Sequence, residues 1–84
     1  DALQAGAAVM LAPEDMTEFQ KIVEGLRIIQ SYLSAENPGD IACEHDEIYV
    51  QGVHRDALGG DDRGKLEALG WEWKESFESW WRFV

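Results

Sequence analysis

Ile41-Ala42-Cys43-Glu44-His45-Asp46-Glu47-Ile48-Tyr49-Val50 is the stretch on which the fold turns. Read straight through, it has no single clean alternation. Folded back on a two-residue turn at His45-Asp46, its two arms agree. Cys43 then lies opposite Ile48 and Ile41 opposite Val50, so one face is apolar and core-facing. Ala42, Tyr49, Glu44 and Glu47 point the other way. The cost of this register is a like-charge pair, Glu44 against Glu47, beside the turn.

Downstream, Trp71 to Val84 repeats the hairpin logic with heavier side chains. Pairing Trp73 with Trp81 and Trp71 with Phe83 gathers four aromatics on one face. Glu72 then meets Arg82, and Lys74 meets Trp80, on the other. Between the hairpins, Gln51 to Gly60 is polar and reads as a loop. Asp61 or Asp62 is expected to cap a short helix through Leu66, Ala68 and Leu69 that stops at Gly70.

Upstream, Pro13 suits a first helical position, and Glu14 and Asp15 suit the positive end of a helix dipole. Met16, Phe19, Ile22, Val23, Leu26, Ile29 and Leu33 recur at three- and four-residue steps, which predicts an amphipathic helix from Pro13 to Ala35. Asn37-Pro38-Gly39 ends it. Gly25 falls mid-helix at a cost of about 1 kcal/mol against Ala, so either another backbone packs closely there or the helix bends.

The expected fold is therefore α+β: a long N-terminal helix on a four-stranded, mainly antiparallel sheet made of two hairpins separated by a short helix, in the order α-β-β-α-β-β. Residues 13–84 form the single domain and 1–12 an extension. A hairpin alone is marginal in water, so both apolar faces must share one core with the helix.

Eighty-four residues bury roughly 60 to 65% of their unfolded surface, enough for one modest core and little more. Seven basic residues against seventeen acidic ones give a net charge of -10. That field repels phosphate backbones and anionic headgroups, so direct nucleic-acid and membrane binding are disfavoured. The charge is fold-wide rather than a tail, with -5 in residues 1–40 and -5 in 41–84. No apolar run approaches the ~20 residues of a membrane span. Ala5 to Ala12 is not preceded by Lys or Arg, unlike a secretory leader. The lone Cys43 has no internal disulfide partner, and a reducing, cytoplasmic setting fits.

Cys43, His45 and His54, with the acids between them, are the residues with which a metal-binding protein or a small enzyme would be built. They lack the paired spacing of structural zinc sites, and the acidic neighbours of Cys43 oppose thiolate formation. The loop from Gln51 to Gly64 fits neither a phosphate-cradling nor a calcium-binding pattern. No catalytic residue, cofactor or metal ligand is assigned. The acidity alternatively suits a nucleic-acid mimic that inhibits a basic protein through positions such as Glu72, Glu75 and Glu78. The expectation carried forward is a non-enzymatic interaction module or regulator. It engages a protein partner, or a second copy as a homodimer, through Tyr49, Phe77 and Trp80 on the outer face of the sheet.

Overall fold

The computed structural model describes residues 12–84. The expected extension, 1–12, lies outside them except for Ala12. The architecture is α+β: α1 (Glu18–Gln30), β1 (Asp40–Glu44), β2 (Glu47–Gln51), α2 (Gly60–Ala68), β3 (Glu72–Lys74) and β4 (Ser79–Phe83). The four strands form one antiparallel sheet in the order β1-β2-β4-β3.

The first helix is shorter than expected at both ends. Pro13–Asp15 is a separate 3₁₀ turn. Thr17, three residues before Gln20, starts α1 with a reciprocal capping box: its hydroxyl accepts from Gln20 N at 3.1 Å, and Gln20 Oε1 accepts from Thr17 N at 2.8 Å. That exchange satisfies two otherwise unpaired donors of the first turn. At the other end, Ser31 Oγ donates to the Ile28 carbonyl at 2.6 Å, and α1 ends at Gln30. Tyr32 and Leu33 still reach the core from outside the helix. The apolar stripe is also narrower than its spacing implies: Gly25, Ile28 and Ile29 are buried, whereas Phe19 and Val23 are exposed.

Gly25 is explained by a side chain rather than by a neighbouring backbone. The indole of Trp71, wholly buried, lies against it, and a Cβ at Gly25 would come within 2.6 Å of Trp71 Cδ1 and Cε2. Trp71 Nε1 makes a long hydrogen bond of 3.4 Å to the Lys21 carbonyl. Trp71 thus precedes β3 as a peg under α1 and is not paired with Phe83.

The first hairpin has the expected register, with Ile41 opposite Val50, Ala42 opposite Tyr49, Cys43 opposite Ile48 and Glu44 opposite Glu47. Its turn places His45 at φ 54°. Cys43, expected in the core, is exposed. Its strand is the sheet edge, and although Cys43 shares a face with Ile48, all of β1 is exposed. An apolar groove of about 690 Å³ runs between the end of α1 and this edge, past Leu26, Leu33 and Ile41.

The second hairpin is slipped by one residue from expectation. Glu72 faces Trp81, Trp73 faces Trp80 and Lys74 faces Ser79. Four residues join the strands: a 3₁₀ turn at Glu75–Phe77 and Glu78 in the left-handed conformation, φ 47° and ψ 49°. Because side chains alternate along a strand, the slip reverses β4 completely. Trp80 and Arg82 point to the helices, and Trp81 and Phe83 point away.

Arg82 is buried, with three bonds from its guanidinium: to Leu69 O at 2.8 Å, to Phe83 O at 2.8 Å and to Glu18 Oε1 at 2.7 Å. The Leu69 carbonyl belongs to the C-terminal cap of α2, an end that needs donors. The same helix closes with Gly70 at φ 92°, Gly70 N bonding to Glu67 O and Trp71 N to Leu66 O. This is the Schellman pattern. At its start the cap is Gly59, not Asp61 or Asp62. Tyr32 serves that end instead: its hydroxyl accepts from Gly59 N at 3.0 Å and donates to Asp62 Oδ2 at 2.6 Å.

Both helices lie on one side of the sheet. The core joins Ile28 and Ile29 of α1, Leu66 and Leu69 around α2, and Ile48, Val50 and Trp80 of the sheet, sealed by Val53, Leu58 and Trp71. Val53 and Leu58 come from the segment read as a polar loop, which folds around a 3₁₀ turn at Arg55–Ala57.

Candidate interaction face

With both helices on one side, the other face of the sheet presents the alternate residues. These are Asp40, Ala42 and Glu44 on β1, Glu47, Tyr49 and Gln51 on β2, Ser79, Trp81 and Phe83 on β4, and Glu72 and Lys74 on β3. Neither α1 nor α2 lies on this face, but the 3₁₀ turn at Glu75–Phe77 folds over part of it, and Tyr49 and Ser79 there are buried.

Of the three contact residues expected from sequence, the structure brings two together. Tyr49 and Phe77 meet edge to face with centroids 5.4 Å apart. Trp80 is on the opposite side, 1% exposed within the core, because of the register slip. Trp81 takes its place. It stacks near Tyr49, centroids 6.4 Å apart and 23° between planes, and meets Phe83 edge to face at 4.9 Å. The aromatic face is therefore Tyr49, Phe77, Trp81 and Phe83. The signal that would have found Trp81 is the parity of the connection between β3 and β4, which decides which of two adjacent tryptophans points inward.

Phe77 is placed by its own carbonyl, which accepts from Ser79 Oγ at 2.8 Å and from Gln51 Nε2 at 3.2 Å. These bonds tie the 3₁₀ turn back over the sheet. Phe77 and Phe83 nevertheless remain 52% and 55% exposed, an uncommon state for two phenylalanines on one small surface. The hydroxyl of Tyr49 donates to Glu47 Oε1 at 2.5 Å. That bond, with burial and the charges of Glu47 and Glu44, pushes the phenol up to about 12, so it stays a neutral donor.

Among these rings lies the ammonium of Lys74. Its Nζ is 4.7 Å from the Trp81 centroid, 5.5 Å from Phe77 and 6.0 Å from Tyr49, within the range of attraction between a cation and a ring face. No carboxylate among the described residues pairs with it. Beside the rings is a cavity of about 210 Å³ lined by Ala42, Glu44, Tyr49, Gln51, Phe77 and Ser79.

The other sequence candidates are scattered. His45 is in the exposed turn next to exposed Cys43. His54 Nδ1 accepts from Asp56 N at 3.1 Å, and its ring packs on Trp73 at 4.8 Å. Among the described residues no group of three or more His, Cys, Asp or Glu side chains is placed to hold a metal ion. Glu72, Glu75 and Glu78 are all exposed around β3, with Glu75 accepting from Trp73 Nε1 at 2.8 Å. No described helix is long and apolar enough to cross a membrane.

Compared with family models, with curated proteins and with solved structures, the chain matches none.

Proposed function

We propose that this protein is a small, non-enzymatic interaction module, working in a reducing, cytoplasmic setting, that engages a protein partner through the outer face of its sheet. The observation that carries this reading is the aromatic cluster on the side of the sheet away from both helices, in which exposed Phe77 and Phe83 and half-buried Trp81 gather around buried Tyr49. Aromatic side chains of this kind supply much of the binding energy at protein interfaces. The rim is acidic, with Glu44, Glu47, Glu72, Glu75 and Glu78 around a single lysine, so the fitting partner presents cationic groups. The net charge of -10 opposes face-to-face pairing of two copies, which favours a foreign partner over a homodimer.

Phe77→Glu and Phe83→Glu are the test, because both positions are exposed and the variants should keep the wild-type circular dichroism spectrum. Each is expected to release a protein that wild type retains on an affinity column, while Phe19→Glu, on the exposed side of α1, keeps it. Retention by the outer-face variants, or loss with Phe19→Glu, would overturn the proposal. Light scattering at low and high salt reports any homodimer. Binding that falls steeply with salt and depends on Glu72 and Glu78, but not on the phenylalanines, would instead mark a nucleic-acid mimic.

A further inference from the structure

Lys74 sits in a place built for an ammonium group, and the chain supplies its own occupant. Three rings from three different segments converge on its Nζ: Tyr49 from β2, Phe77 from the β3–β4 connection and Trp81 from β4. Ring faces carry negative electrostatic potential, and a cation held by several of them exchanges hydration for that attraction. Lys74 is in β3, an edge strand of three residues, so its side chain reaches the rings across the surface rather than from the core. An adjoining cavity shares Tyr49 and Phe77 with this cluster, though not Lys74 or Trp81, and has Glu44 in its wall. Glu47 is occupied by the Tyr49 hydroxyl, whereas Glu44 has no ion pair or side-chain hydrogen bond among the described residues.

We infer that Tyr49, Phe77 and Trp81 form an aromatic cage for an alkylammonium side chain, a lysine or methylated lysine of the partner protein, with Glu44 as counter-ion and Lys74 as the internal occupant it displaces. The inference rests on the outer face being the interaction surface and names the group that surface selects. Two features favour a cation over a neutral apolar side chain. The rings already hold one, and the one unengaged polar group of the cavity that bears charge is a carboxylate. Lys74 then sets the threshold for binding, since an incoming ammonium must replace a tethered one.

The probes are the capped amides of lysine, Nε-trimethyllysine and norleucine, the last being the neutral counterpart. Each is titrated into wild type, Lys74→Ala, and Lys74→Ala combined with Phe77→Leu. Binding is read from tryptophan fluorescence and from the ring-proton shifts of Tyr49 and Trp81. Removing Lys74 is expected to tighten binding of both cationic amides about tenfold, and adding Phe77→Leu to reverse most of that gain. A preference for trimethyllysine over lysine would assign a methylated partner, and equal binding an unmodified one. The cage is overturned if Lys74→Ala binds the cationic amides no better than wild type does, or if norleucine amide binds as well as they do. Because the probes are small molecules, that failure is separate from loss of the protein partner in the Phe77→Glu and Phe83→Glu assay.

Discussion

Gly25 and Arg82 do more to fix this fold than their sequence positions suggest. A methyl group at Gly25 would enter the Trp71 indole, which is wholly buried and has nowhere to move. In an open helix Gly→Ala gains about 1 kcal/mol. Here Gly25→Ala is expected to destabilise by about 1 to 3 kcal/mol, the usual range for overpacking a filled site, read as a lower urea midpoint with an unchanged slope. Arg82 acts through Glu18, whose carboxyl is held below its ordinary 4.5 first by the hydrogen bond from Arg82 and then by that from Lys21. A depressed carboxyl pKa contributes stability above the unfolded value, and this is lost as pH falls through the lower folded value. Wild type should therefore lose more stability than Glu18→Gln on acidification below pH 4.5. Equal losses in urea melts of the two would remove the ion pair from the account.

At the scale of elements, the decisive event is the parity of the β3–β4 connection. Trp80 is buried and Trp81 half-buried on the other face, so the two adjacent tryptophans report the register directly. Trp80→Ala is expected to cost about 3 to 5 kcal/mol, as large core truncations do, and Trp81→Ala distinctly less in the same urea titration. The opposite ranking would restore the register in which Trp73 faces Trp81. The first hairpin was legible because a two-residue turn leaves one register that puts Ile41, Cys43, Ile48 and Val50 together. The second was not, because Trp80-Trp81-Arg82-Phe83 offers an aromatic to either face and the choice rests on Glu78 adopting a left-handed conformation. Burying Arg82 also defied residue-type reasoning. Its cause is the unpaired carbonyl of Leu69, which belongs to another element. The same limits apply to the candidate face. Tyr49 and Phe77 could be read from the first hairpin and the turn, whereas Trp81 replaced Trp80 only once the register was known.

Over the whole molecule, the layout separates two tasks. One side of the sheet carries the two helices and the only core among the described residues. The other carries an aromatic cluster under a single lysine, with Tyr49 buried, Trp81 half-buried and Phe77 and Phe83 exposed, within a chain of net charge -10. Phe77 and Phe83, each about half exposed, can change without loss of the fold, whereas Tyr49 and Ser79 on the same face are buried. The exposed edge at β1 is blunted by acidic residues, and Asp40 Oδ1 accepts from Ile41 N at 2.9 Å, which discourages strand addition there. The tie from Arg82 to Glu18 has a kinetic meaning as well. It closes across 64 residues, and β2 can pair with β4 only after α2 and β3 have been looped out between them. Closing long loops before any contact rewards it slows a chain and leaves few stable halfway points. A fragment that stops short of β4 would have hairpin and helix sequences but nothing to hold them, so this small domain should appear all at once, and late.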